Sequence, residues 1–288
     1  MITTKIEVGI FILILSIFFA LPLLAAEKLS VLLTNDDGVS SPGLKALSTE
    51  LRNAGYRITV VAPADQQSGG GMKVTLGEGL KVKKMMAEDD TWSVEGSPAD
   101  AVLVGLGIIM KDREVDLVIS GPNFGQNLGT NVFLSGTVGA AMTAVLRGIP
   151  AIALSVGINL NESKSEPDRF PSTLASFEPA SKFLVSLLDK WYQNSTSSVI
   201  PPHSLVNINY PEAGKGKIKG VKWIEAGEIG GFALDYRSED TEMVEVLISE
   251  NETTDTNAKD LGFFNQGYAT LSILSPNWNV SKSLYSFQ

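Results

Sequence analysis

Hydrophobic residues along this chain come in two patterns, short continuous runs and residues spaced three or four apart, and the two alternate in order. Val31, Leu32 and Leu33 are contiguous and end in the turn Asn35-Asp36-Asp37-Gly38, as expected of a strand buried on both faces in a parallel sheet. Within residues 41–54, Leu44, Leu47, Leu51 and Ala54 recur at helical spacing and share one helix face. Gly55 closes that helix, and residues 58–62, stopped by Pro63, form a second strand. Strand, helix and strand in about thirty residues make a βαβ unit with a right-handed crossover.

The alternation continues. Residues 73–94 are polar and β-leaning, with Lys81, Lys83 and Lys84 before Glu88, Asp89 and Asp90, and read as a solvated hairpin. Ser97 as N-cap and Pro98 at the first helical position open an apolar helix through Ala101, Leu103, Val104 and Leu106. Residues 115–120 and 150–155 are further buried strands, separated by a small-residue helix over 138–146 that Gly148 closes. Pro179 precedes an amphipathic helix carrying Ala180, Phe183, Leu184, Leu187, Leu188 and Trp191, and residues 205–208 make the last central strand. From 221 to 274 the alternation is lost. That tail reads as an extension with β-segments at 243–248 and 268–274, of a kind that packs on a neighbouring subunit. The expected fold is α/β: a mostly parallel sheet with helices on both faces, a core over about 29–212 and a β-rich C-terminal extension over about 213–288.

Composition adds boundaries to this picture. The 288 residues are 44% hydrophobic, enough for one substantial core. With 23 basic against 32 acidic residues, a formal charge of −9 and no basic cluster, the chain is no partner for a nucleic-acid duplex, which needs a concentrated positive surface. Residues 1–26 stand apart: Lys5 precedes an uncharged run over 8–24 and then Ala25 and Ala26. This reads as a signal peptide or an uncleaved N-terminal membrane anchor ahead of a folded domain over 27–288, so the protein is expected to be exported, periplasmic or secreted. Cysteine is absent, which excludes disulfides and thiolate chemistry.

Ligands of open α/β sheets bind beyond the carboxyl ends of the strands, where Asp36 and Asp37 fall. Adjacent carboxylates repel, so either a cation lies between or beside them, or the stretch is an Asx turn capping the helix. Ser68 precedes Gly69, Gly70 and Gly71 at the end of the second strand; these match no nucleotide-loop fingerprint, yet glycines permit close backbone approach to a ligand. Asn123 and Asn127, in the polar stretch 121–129, offer neutral oxygens and amide donors, or simply belong to a long surface loop. Ser135, Gly136 and Thr137 open a helix where a phosphate could dock, or only cap it. Four turns thus carry oxygen ligands.

The segments TNDDG, PADQQSGGG, EGSPAD, SGPNFGQNLG and FLSGTVGAA, in this order, resemble the SurE family of metal-dependent 5′/3′-nucleotidases, also described as survival-protein acid phosphatases. The resemblance is strong over about 29–160 and looser at NINYPE and GYATLSIL. It implies one divalent cation per subunit held by Asp36, Asp37, Ser68 and Asn123, and a phosphoryl group held by Asn127, Ser135, Gly136 and Thr137. It also implies a Rossmann-like core, a C-terminal β-extension exchanged between subunits in homodimers or homotetramers, and nucleoside monophosphates or other small phosphomonoesters as substrates. The residues agree on their own terms. The single histidine, His203 in IPPHS, rules out a His-rich zinc site, and an all-oxygen donor set suits Mg or Mn. Metal-assisted hydrolysis follows as the expectation, with Asp36 or Asp37 orienting or deprotonating water. Three alternatives stand beside it: an acid phosphatase of broad substrate range, an exported phosphate-ester binder without turnover, and a haloacid-dehalogenase-type phosphatase. The last needs Asp-x-Asp, and Gly38 stands two after Asp36.

Overall fold

The computed structural model describes residues 28–77, 79–86, 89–193, 200–238 and 242–277; the leader read over 1–26 lies outside them. Among the described residues no helix is long and apolar enough to cross a membrane.

The run Val31-Leu32-Leu33 forms β1 (Ser30–Thr34), and its three side chains are fully buried. Alternate residues of a strand point to opposite faces. Val31 and Leu33 accordingly pack with Leu44, Leu47 and Leu51 of α1 (Pro42–Asn53) and with Leu184 and Leu188 of α4 (Pro171–Gln193). Leu32 faces the other layer, against Ala101 and Val102 of α2 (Pro98–Val104) and Ala140 and Ala144 of α3 (Gly136–Leu146). Each fully buried Val or Leu side chain stabilises the fold by about 1.5–3 kcal/mol.

Four more parallel strands complete the core: β2 (Arg57–Pro63), β5 (Leu117–Phe124), β6 (Ala151–Val156) and β7 (Leu205–Tyr210). A hairpin of β3 (Val82–Met86) and β4 (Thr91–Val94) closes one edge, as the lysine-rich excursion predicts, with β4 parallel to β2. The full order is β3-β4-β2-β1-β5-β6-β7, followed by β11 (Ala269–Leu274) and β8 (Val221–Trp223). Strand order reverses between β1 and β5, which makes their carboxyl ends the crevice where ligands of such sheets bind.

Three expectations change. The segments β8 (Val221–Trp223) and β11 (Ala269–Leu274) belong to the main sheet, β11 antiparallel to β7 and parallel to β8. ATLSIL is apolar enough to be buried between strands, so residue 212 does not mark the sheet's edge. Only β9 (Phe232–Arg237) and β10 (Glu245–Glu250) leave it, as a separate antiparallel pair. The helix α4 begins at Pro171 and runs through Pro179, because packing of its apolar face outweighs the one backbone bond a proline forfeits. Finally β5 extends to Phe124, with a register shift between Ser120 and Asn123, so the stretch read as loop is strand at its start.

Candidate active site

The acidic turn at the end of β1 is held from several sides. Asn35 Nδ2 donates to Gly38 O at 3.0 Å and to Ser41 Oγ at 2.7 Å, and Ser41 caps α1 by accepting from Leu44 N. The helix therefore has its own cap, with no acidic residue in its first turn, and the aspartates are not spent on it. Gly38 takes φ +96 against Asp65 backbone, a conformation that favours glycine. Gln67 N donates to Asp36 O, tying the turn to the loop after β2.

Asp36 is 3% exposed. Burial pushes its carboxyl above the usual range, against the hydrogen bond Thr137 Oγ1 donates to its Oδ1 at 2.5 Å. Burial, then the charge of Asp36, push Asp37 up to about 7, against bonds from Phe124 N at 2.9 Å and from the Gln66 side chain. No Lys or Arg among the described residues pairs with either. A buried and a half-buried carboxylate, adjacent and without a counter-charge among the described residues, form a site a hard cation fits. Asn35 Oδ1, one residue earlier, is buried without a hydrogen-bond partner. No group of three or more His, Cys, Asp or Glu converges among the described residues, so a cation here would complete its shell with neutral oxygens.

Those oxygens are at hand. A cavity of about 500 Å³ is lined by Asp36, Ser68, Asn123, Asn127 and Ser135, brought together from four separate turns. Asn123 donates Nδ2 to Gly125 O at 2.6 Å. Asn127 is fixed by Nδ2 to Ser155 Oγ at 2.9 Å, while its backbone exchanges bonds with Asn209 and receives Asn207 Nδ2. Ser135 caps α3, accepting from Val138 N at 3.1 Å. Gly136 is a close approach: a Cβ there would lie 2.8 Å from both Cβ and Oδ2 of Asp36. Thr137 is fully buried and its hydroxyl is engaged by Asp36, so it orients the carboxylate rather than facing the cavity. Asp37 borders a neighbouring cavity of about 750 Å³, together with Gln66, Phe124 and Arg169.

Sequence reasoning missed several supports. Asn207 and Asn209 lie two apart on the otherwise apolar β7, Asn209 in register with Ser155; the polar alternation in NINY was the signal. Gln66 lies inside the quoted segment PADQQSGGG, two residues before the candidate ligand Ser68. The β9–β10 residues Phe232, Leu234, Tyr236 and Ile248, distant in sequence, line the mouth of the Asp36 cavity. Ser97, read as the N-cap of α2, is committed to a reciprocal cap with Asp100 and to Lys73 O.

Known proteins share both sequence and fold. A family model described as Survival protein SurE matches residues 31–229. The 5'-nucleotidase SurE of Microcystis aeruginosa is 35% identical over 205 residues, covering 70% of this chain and 69% of the relative. That of a Thermoanaerobacter species is 34% identical over 249 residues, covering 85% and 91%. The crystal structure of the SurE protein from Aquifex aeolicus superposes with a TM-score of 0.72 at 30% identity, covering 90% of this chain and 98% of that one. With the acidic turn, the switch-point cavity and the family match agreeing, this chain belongs to the SurE family.

Proposed function

We propose that this chain is a metal-dependent phosphomonoesterase that hydrolyses nucleoside 5′- and 3′-monophosphates to nucleoside and phosphate, outside the cytoplasm. One observation carries the reading: buried Asp36 and half-buried Asp37 lie at the sheet's switch point without a cationic partner among the described residues, with Asn123, Asn127 and Ser135 gathered around Asp36. The relatives named 5'-nucleotidase SurE support it. One divalent cation per subunit, Mg or Mn, would be held by Asp36, Asp37, Ser68 and Asn123. When bound, such an ion polarises a phosphoryl oxygen and lowers the pKa of water.

The chain's own residues do the rest. Asn127, Ser135 and the amide of Gly136 hold the phosphoryl oxygens at the start of α3, where backbone N–H groups favour an anion. Thr137 keeps Asp36 in one rotamer through its hydroxyl. Asp36 or Asp37 orients the attacking water and accepts its proton. Export follows from the apolar leader, and a homodimer or homotetramer from the C-terminal extension. The test is phosphate release by purified full-length protein from a panel of nucleoside monophosphates, in EDTA and after adding Mn or Mg. Release that requires the metal is expected; a folded sample silent with every metal overturns the reading.

A further inference from the structure

The cavity that holds Asp36 has two chemistries. Its floor is oxygen and amide, while its mouth is the hairpin β9–β10. Strand alternation puts Phe232, Leu234 and Tyr236 on one face of β9, and pairing sets Ile248 opposite Leu234 and Val246 opposite Tyr236. Ala233, Asp235 and Arg237 occupy the other face. It is the apolar face that lines the cavity.

The stem of this hairpin is fixed to the cavity wall. Asn131 Oδ1 accepts from Phe232 N at 2.8 Å and its Nδ2 donates to Phe232 O at 3.2 Å, so one amide pairs like an extra strand residue. Glu250 Oε1 accepts from Leu160 N at 2.6 Å, and Asn251 Nδ2 donates to Gly230 O at 2.8 Å. Beyond the stem, Leu234 remains 45%, Ile248 56% and Tyr236 64% exposed. A ribbon anchored this firmly, yet presenting its apolar side chains to a polar-floored cavity, fits a ligand with an anionic end and a flat apolar end.

We propose that the apolar face of β9–β10 is the nucleoside-binding wall of this site, with Tyr236 stacking on the base while Leu234 and Ile248 cover it; this rests on the nucleotidase reading above. Base stacking on an aromatic side chain tolerates any base, so the wall selects nucleotides over small esters without choosing among bases.

The test compares adenosine 5′-monophosphate with ribose 5-phosphate, which lacks the base, using the full chain with Mn and the variants Tyr236→Ala and Tyr236→Phe. Tyr236→Ala is expected to raise KM for the nucleotide about tenfold and move that for ribose 5-phosphate by less than about twofold, while Tyr236→Phe keeps the wild-type ratio. Equal effects on both esters, or none on the nucleotide, overturn the proposal. So does loss of oligomer in light scattering with both KM values unchanged, which assigns the face to a second copy. If the wild type hydrolyses ribose 5-phosphate and the nucleotide but Tyr236→Ala does not separate them, only the wall falls; if it hydrolyses neither, the nucleotidase reading falls with it.

Discussion

Asp36 and Gly136 illustrate how much one contact decides. The carboxylate is pressed against the start of α3, held by Thr137 and facing a helix residue with no room for a side chain. Gly136→Ala is expected to displace Asp36, lowering kcat at least about tenfold and costing about 1–3 kcal/mol of stability, read by kinetics and denaturant melts. Asp36→Asn acts differently. It keeps the size of the side chain and relieves the repulsion with Asp37, so phosphate release should fall by about 100-fold or more while the melting temperature in EDTA does not drop. A variant that melts lower in EDTA would show that the fold depends on the charge itself. Both aspartates stood out in the sequence because two carboxylates end an apolar run. The role of Thr137 did not, since a helix-opening threonine looks the same whether it faces a ligand or a neighbouring carboxylate.

Two elements depend on single carboxylates. Asp260, buried at the start of α5 (Asp260–Asn265), accepts from Gly129 N at 3.0 Å, Gly227 N at 2.8 Å and Leu261 N at 2.9 Å. It thereby joins the C-terminal segment to the loop after β5. Asp260→Ala leaves those donors unpartnered and should cost about 2–3 kcal/mol, measured by denaturant unfolding. At the turn of β3–β4, burial opposes ionisation of Asp90, but hydrogen bonds from Thr59, Arg113 and Trp92 outweigh it and bring its carboxyl down to about 2. A lowered pKa stabilises the fold above the ordinary value near 3.8 and loses that contribution as pH falls toward 2. At a side chain about one-third exposed, solvent screening holds the contribution to about 1 kcal/mol. Asp90→Asn should therefore lower stability at pH 7 and converge with the wild type near pH 2, as thermal melts across that range would show. The hairpin was legible from its charge pattern, whereas α4 was misplaced because Pro179 looks like a start when read without the sheet it packs on.

For the molecule as a whole, binding to the folded state alone raises stability by mass action. Mn or Mg at about a hundred times its Kd should add about 2.7 kcal/mol, seen as a higher melting temperature in the wild type and not in Asp36→Asn. This readout needs no substrate. The homodimer or homotetramer proposed from the C-terminal extension gives the expectation that purified protein scatters light as a dimer or tetramer; a monomer at micromolar concentration would contradict it.

What the sequence determined by itself is local: buried strands as apolar runs, helices from three-and-four spacing, caps at Ser97 and Ser135, and turns rich in oxygen ligands. These follow from neighbours along the chain, where periodicity and side-chain chemistry act directly. Tertiary structure alone decided which turns meet. The order β2-β1-β5 brings Ser68, Asp36 and Asn123 to one crevice, and that order depends on crossover direction and on burial summed over the whole sheet. It also drew β11 into the sheet and turned the apolar face of β9–β10 toward Asp36, because either choice is settled by partners far away in sequence, β7 for the one and Asn131 and Leu160 for the other, which no local pattern records.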